Sequence, residues 1–253
     1  HGAAAFLSRV QFRDAEHVDG ELNLDNVEKL ILKSKVHKPI IKTVSIENTH
    51  LASGGSIVSF DSIKSLSKIV RKHDLKLHID GARIWHAIQE DKNMNYGHYC
   101  DSLTFCFSKA LGAPIGSMLL GSEEFIREAR EFRKKLGGGM RQVGVIASMA
   151  RTALQSRENI LEDHAKARKV FDCLIANLNN EKIESIVYKG TNMIFLNIKN
   201  DEDPNKLLDI FYDESINAGL IGEKSIRLVF HKDIVHTDID KICDKLVHSS
   251  SKF

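Results

Sequence analysis

Three polar residues in the first half of the chain have side chains suited to chemistry on a carbonyl or amine group. They are His50, Asp80 and Lys109, and each follows a short apolar run. A lysine that loses its proton in a dry pocket becomes a nucleophile that forms Schiff bases. Histidine accepts protons near neutral pH, and a carboxylate favours the protonated form of a nearby nitrogen base. Each residue alone also fits an ordinary role: a loop histidine, a helix-capping Asp or a solvated lysine.

The apolar runs before these residues are predicted to be strands of one sheet. Residues 40–47, 75–79, 102–107 and 115–120 are short and apolar, and helical patterns lie between them. One such helix is predicted to begin at a cap formed by Asp61. Strands alternating with helices indicate an α/β fold with a mostly parallel sheet. In such sheets ligands bind at the carboxyl ends of the strands, where the three polar residues stand.

Further basic residues suit the binding of an anion near the same edge. Arg83 follows Asp80 within one helical turn, and Lys134 and Arg141 flank three glycines at 137–139. The glycine run is not a P-loop, because no Gly-Lys-Ser/Thr follows it, and it does not match the dinucleotide fingerprint. Its alternative role is a hinge between two helices with solvated bases. A lysine for an aldehyde, an Asp for a pyridine nitrogen and bases for a phosphate together predict a pyridoxal phosphate site.

The second half of the chain has a different pattern of elements. Long helices are predicted within residues 141–179, followed by strands and helices at 183–188, 192–198, 205–216, 226–230 and 238–247. This order is typical of a smaller α+β unit. We therefore predict a large domain at 1–155 and a small domain at 156–253, with the junction inside a helix near Ser156.

Composition excludes several classes of function. The 253 residues include 36 Lys and Arg and 34 Asp and Glu, a formal net charge of +2. Bulk electrostatics therefore gives no basis for binding nucleic acid or adsorbing to a membrane, and no apolar stretch is long enough to span a bilayer. The four cysteines form no Cys-x-x-Cys pair, and none accompanies His231 and His236, so we expect no metal site. Without a targeting signal, a cytoplasmic location is expected.

Six longer motifs carry a resemblance to a known family across essentially the whole chain. They are ENTH from Glu47, HIDGARI from His78, CFSKALGAPIGSMLLGS from Cys106, RKKLGGGMRQVGV from Arg133, EDHAKAR from Glu162 and IRLVFH from Ile226. In this order they resemble the threonine aldolases, which belong to the β-eliminating lyase group of fold-type I pyridoxal phosphate enzymes. The resemblance implies an aspartate-aminotransferase-like fold with helices on both faces of the sheet, and a smaller C-terminal domain.

The resemblance also implies how the chain would hold the cofactor. Lys109 would be the Schiff-base lysine, and Asp80 would pair with the pyridinium nitrogen. Arg83 would lie near the cofactor's phenolic oxygen and the substrate carboxylate. Lys134 and Arg141 would serve the phosphate region across a subunit boundary, in a homodimer or homotetramer with active sites at the interface.

On the substrate side, the resemblance implies that Arg227 clamps the carboxylate and that His50 lies near the β-hydroxyl. The expected reaction is retro-aldol cleavage of L-threonine or L-allo-threonine to glycine and acetaldehyde. Two alternatives stay open: another fold-type I lyase acting on a different β-hydroxy or aromatic amino acid, and a truncated, non-catalytic subunit. Family members carry a preceding segment with a phosphate loop and a ring-stacking His. His1 does not fit that register, so we expect this chain to begin inside a longer protein.

Overall fold

A computed structural model describes residues 2–33 and 38–253. His1, to which no role is assigned, lies outside the described residues. The helices of eight or more residues are α2 (Leu24–Lys33), α3 (Phe60–Lys72), α5 (Glu123–Lys135), α6 (Gly144–Gln155), α7 (Ile160–Asn177), α8 (Pro204–Asp213) and α9 (Ile239–Lys252), and the shorter ones are α1 (Ala3–Ser8) and α4 (Ile84–Glu90). The strands are β1 (His17–Val18), β2 (Glu21–Leu22), β3 (Thr43–Glu47), β4 (Lys76–Gly81), β5 (Ser102–Cys106), β6 (Ser117–Gly121), β7 (Ile183–Tyr188), β8 (Met193–Ile198), β9 (Gly219–Ile221) and β10 (Ser225–Val229).

The four strands predicted in the first half form one sheet in the order β3-β4-β5-β6. β3, β4 and β5 run parallel, and β6 pairs antiparallel with β5. The alternate residues Leu77 and Ile79 of β4 are almost fully buried, as expected for a strand inside a covered sheet. The predicted mostly parallel α/β sheet is therefore confirmed, with strand ends that differ from the prediction by at most three residues.

The N-cap of helix α3 lies two residues earlier than the sequence suggested. Ser59 is the N-cap, and its hydroxyl oxygen accepts a hydrogen bond from the Ser62 N–H at 3.2 Å. Asp61 lies inside the first turn and pairs with Lys64 at 3.0 Å. A carboxylate at this position still favours the helix, because it faces the positive end of the helix dipole. The predicted cap at Asp61 is thus wrong by two residues, although the helix itself is present.

Helix α5 and the residue after it carry an apolar stripe formed by Phe125, Phe132 and Leu136, and other parts of the described chain do not cover it. α5 packs against β6, yet Phe132 is 61% exposed and Leu136 is 62% exposed. None of the residues of α5 is buried by other parts of the described chain. Contiguous exposed apolar surface of this kind usually marks a contact with another chain or segment.

The second half folds around an antiparallel sheet in the order β7-β8-β10-β9. Helices α7 and α8 pack on this sheet, and α9 packs against both helices. One cluster of buried apolar side chains extends to Ile160, and a second begins at Ala167. Ser156 ends α6 and is followed by a 3-10 turn, so it does not lie inside a helix as predicted. The domain boundary itself stays a prediction.

None of the helices within residues 2–33 and 38–253 is both long and apolar enough to cross a membrane.

We predict that Gly81→Ala destabilises the fold at the link between β4 and α4. An added Cβ would lie 2.5 Å from the Thr104 carbonyl oxygen and 3.0 Å from Ile84 Cβ, so the strand or helix must shift. Overpacking of this kind costs about 1–3 kcal/mol, which urea unfolding would measure. Gly97→Ala is the matched control, because its Cβ would meet Asn95 at an ordinary 3.5 Å. Equal unfolding midpoints for the two variants would contradict the prediction.

Candidate active site

A row of polar side chains lies at the carboxyl ends of three neighbouring parallel strands and forms one side of the candidate site. The register pairs Glu47 of β3 with Asp80 of β4, and Asp80 with Thr104 of β5. The Asp80 Oδ1 atom accepts hydrogen bonds from the Ala82 N–H at 3.0 Å and from the Thr104 hydroxyl at 3.4 Å. Asp80 therefore lies near the end of β4 and is not the N-cap of α4, which is Arg83. The Asp80 side chain is exposed at the carboxyl edge of the sheet, where the sequence predicted a ligand site.

His50 is held in a tight loop that follows β3. Its N–H donates to the Ser56 carbonyl at 2.8 Å, and its own carbonyl accepts from the Gly55 N–H at 2.9 Å. The His50 Nδ1 atom lies 2.8 Å from Ser53 Oγ. Gly55 has a φ of +79°, and a Cβ there would lie 2.4 Å from Met193 Cε. Only glycine fits this position, and the loop therefore packs directly against the second half of the chain.

The β1–β2 hairpin covers the other side of His50. The rings of His17 and His50 meet edge to face with centroids 4.9 Å apart, and a Cβ on Gly20 would lie 2.6 Å from the His50 Cβ. Burial lowers the pKa of His50 below its ordinary value of 6.5, and the nearby His17 lowers it further, whereas Glu47 opposes this shift. The imidazole is therefore neutral at pH 7 and can accept a proton.

Two arginines from different parts of the chain meet at the same edge. Arg83 follows β4, and Arg227 lies in the middle of β10. Burial lowers the pKa of Arg83, and the neighbouring charge of Arg227 adds to that effect, whereas Glu47 and Asp80 are among the groups that oppose it. The Arg227 Nε atom is buried, and the described chain offers it no hydrogen-bond partner. A buried donor without a partner is costly, so this pair of guanidinium groups suits a carboxylate ligand.

Lys109 stands in the loop after β5 that the sequence indicated. Its carbonyl accepts from the Gly112 N–H at 2.9 Å, which turns the chain back toward β6. The side chain is exposed and does not lie in a dry pocket. From the part of the chain that is described, no side chain or carbonyl pairs with its amine. Lys232, from the second half, reaches this loop and donates to the Gly112 carbonyl at 3.1 Å.

Lys134 and Arg141 are not brought to this edge. Lys134 lies near the end of α5 and Arg141 between α5 and α6, and both are exposed. Among residues 2–33 and 38–253, neither side chain has a hydrogen bond or ion pair with the residues of the sheet edge. By contrast, the charges of Arg227, Glu47 and Asp80 act on Arg83, and His50 lies close enough to Glu47 to be influenced by it. Lys109 lies in the loop after the neighbouring strand, and the two bases of the glycine run lie apart.

The sequence reasoning did not assign three residues that the structure places at the site. Glu47 and Thr104 flank Asp80 in register, and Lys232 contacts the Lys109 loop. Glu47 ends a predicted strand next to the one that ends at Asp80, so the parallel register was a signal that would have found it. No comparable signal exists for Lys232, because its position depends on how the two halves of the chain pack together.

Comparison with known proteins agrees with the class of fold that these elements define. The structure superposes on a putative L-allo-threonine aldolase from Listeria monocytogenes with a TM-score of 0.74 at 17% identity, over 98% of this chain and 70% of that one. This likeness confirms the predicted fold-type I architecture. A low-specificity L-threonine aldolase from Candida albicans is 36% identical over 82% of this chain and 54% of its own length. A probable low-specificity L-threonine aldolase 2 from Arabidopsis thaliana is 34% identical over 98% of this chain and 73% of its own.

A family model described as beta-eliminating lyase matches residues 1–199. The chain belongs to this family, and the resemblance drawn from the sequence motifs is confirmed. The chain spans little more than half the length of the Candida relative.

We predict that His50 titrates below pH 6.5 and is neutral at pH 7, because burial disfavours the imidazolium ion. As the pH falls, the unfolded chain takes up this proton first, so His50 lowers the free energy of unfolding below about pH 6.5. NMR titration of the ring resonances, assigned with His50→Gln, would measure the pKa. A midpoint above 6.5 would contradict the assignment of His50 as a proton acceptor at neutral pH.

Proposed function

We propose that this protein is a threonine aldolase that cleaves L-threonine or L-allo-threonine to glycine and acetaldehyde with pyridoxal 5'-phosphate. The observation that carries the proposal is the pair of interacting guanidinium groups, Arg83 and Arg227, near Asp80, together with Lys109 in the loop that follows the neighbouring strand β5. Such a pair suits the carboxylate of an amino acid, and the two other groups suit a pyridine aldehyde. The names of the Candida and Arabidopsis relatives support the same activity.

The residues of the sheet edge fit the ring end of this cofactor. Among the described residues none pairs with the Lys109 amine, as a lysine that holds an aldehyde requires. Asp80 uses Oδ1 for its two hydrogen bonds within the chain, and its second oxygen remains available to keep a pyridine nitrogen protonated. When bound, pyridoxal phosphate supplies an electron sink for the carbon atom that loses its substituent.

Arg227 and Arg83 would bind and orient the substrate carboxylate. Arg227 Nε is already desolvated by the surrounding chain, so a carboxylate that pairs with it satisfies a buried donor. A planar guanidinium group binds a carboxylate through two parallel hydrogen bonds and so fixes its direction. This orientation determines which bond of the amino acid faces the electron sink, and hence which bond breaks.

His50 would take the proton of the β-hydroxyl group. Its pKa is lowered, so the ring is neutral at pH 7, and Ser53 occupies its Nδ1 side at 2.8 Å. Nε2 is then the nitrogen that accepts the substrate proton. The covering hairpin with His17 keeps bulk water from one side of the ring, which favours the uncharged form before the proton arrives.

A second copy of the chain would complete the phosphate end of the site. Lys134 and Arg141 are exposed next to the uncovered apolar stripe of α5. Neither pairs with a residue at the sheet edge of the same chain. We propose a homodimer or homotetramer in which these bases serve the partner's cofactor phosphate. We also propose a cytoplasmic role in threonine catabolism and glycine biosynthesis.

We predict that Lys109→Ala abolishes the yellow absorbance band that wild-type protein develops with pyridoxal phosphate, and abolishes turnover of L-threonine. The amine that holds the aldehyde is then absent. Lys232→Ala is the matched control, since Lys232 lies at the same loop and should leave the band in place.

Product analysis separates the proposed reaction from its alternative. Glycine with acetaldehyde from L-threonine supports the aldolase, whereas pyruvate with ammonia, formed from an aromatic amino acid that loses its ring at Cβ, would identify a different lyase of the same fold. No band in the wild-type chain would mean that it is not an enzyme by itself.

We predict that Arg227→Ala raises the apparent KM for L-threonine roughly tenfold to hundredfold, because a hydrogen bond between charged groups contributes about 1.5–3 kcal/mol. Steady-state kinetics would measure this change. Arg227→Lys keeps the charge and loses the two-pronged geometry, so its KM should lie between the two values. An unchanged KM in Arg227→Ala would show that Arg227 does not bind the substrate carboxylate.

A further inference from the structure

A chain of three side chains, two of them buried histidines, joins the two halves of the molecule just behind Arg83. His86 of α4 is 1% exposed and His164 of α7 is 5% exposed. His86 Nδ1 lies 2.7 Å from His164 Nε2, and the rings stack with centroids 5.0 Å apart. The His164 Nδ1 atom contacts a carboxylate oxygen of Glu90, at the end of α4. α7 therefore binds α4 at two points, one turn apart.

The directions of these hydrogen bonds follow from the chemistry of the partners. A carboxylate only accepts, so His164 Nδ1–H donates to Glu90. His86 stays neutral, since burial lowers its pKa to about 3, and the nearby His164 and Arg83 lower it as well. One proton then lies between His86 and His164, and each ring keeps a fixed orientation. Buried polar chains that are satisfied in this way hold their elements in a unique arrangement.

Arg83 is linked directly to this chain through α4. It immediately precedes the helix, and its carbonyl accepts from the His86 N–H at 3.1 Å. The first turn of α4 is fixed, because Ile84 and Ala87 are almost fully buried. A movement of α4 relative to α7 must therefore carry Arg83 with it, toward or away from Arg227, which the second half of the chain supplies.

We propose that His164 is a positioning residue that holds α4 against α7 and so sets the distance between Arg83 and Arg227. The two arginines belong to different halves of the chain, and His164 connects those halves at the helix that carries Arg83. The consequence for substrate binding rests on the proposed function. The consequence for the position of Arg83 does not.

The test uses side-chain NMR of the Arg83 Nε–H group, assigned with Arg83→Lys, together with steady-state kinetics. His164→Phe fills the same space but removes both nitrogens, so the Arg83 resonance should shift. KM for L-threonine should rise about fivefold or more, while kcat stays within about twofold, the pattern of lost substrate binding. His164→Gln can donate to Glu90 and accept from His86, so it should restore both values toward wild type.

Tyr188→Phe is the matched control, because the Tyr188 hydroxyl donates to the His164 carbonyl at 3.3 Å and not to its ring. Should His164→Phe not fold, Glu90→Ala tests the same chain from its more exposed end, with a smaller shift expected. An unshifted Arg83 resonance in the folded variants, or an equal shift in Tyr188→Phe, would overturn the proposal. If the wild-type protein shows no turnover, the proposed function fails, and the NMR comparison still decides the role of His164.

Discussion

The parallel pairing of β3, β4 and β5 is the constraint on which the candidate site depends. Because the three strands are in register, they end at the same height, and the polar residues at their ends become neighbours. A slip of one residue would turn Asp80 to the other face of the sheet. The buried apolar positions Leu77 and Ile79 prevent such a slip, since it would expose them to water. The same residues that form the core therefore fix the row of polar groups.

The candidate site contains two guanidinium groups and two carboxylates whose charges act on one another. The charge of Arg227 disfavours the charged form of Arg83, whereas Glu47 and Asp80 favour it. Positive charges held close together favour binding of an anion, because the ligand relieves the repulsion as it arrives. Under the proposed function, a substrate carboxylate would therefore meet two positive groups that the fold already holds near each other.

Much of the architecture was predictable from local patterns, and the failures have physical causes. The alternating strands and helices of the first half, and the polar residues at the strand ends, follow from periodicity alone. The cap at Asp61 was wrong because Ser59 and Asp61 both suit a helix start, and only the backbone decides between them. The exposure of Phe132 was not predictable, since an amphipathic pattern does not say what covers the apolar face. The meeting of Arg83 with Arg227 required the packing of both halves, which the family resemblance implied and spacing did not.

The loop that carries His50 belongs to both halves of the chain. It follows β3, yet Thr191 donates to the Gly55 carbonyl at 3.0 Å and Met193 lies against the same glycine. The loop is therefore only as stable as the contact between the halves. Local opening at this junction needs less free energy than melting of either core. On heating, His50 should leave its position while the central sheet is still intact, and under the proposed function activity would be lost before secondary structure.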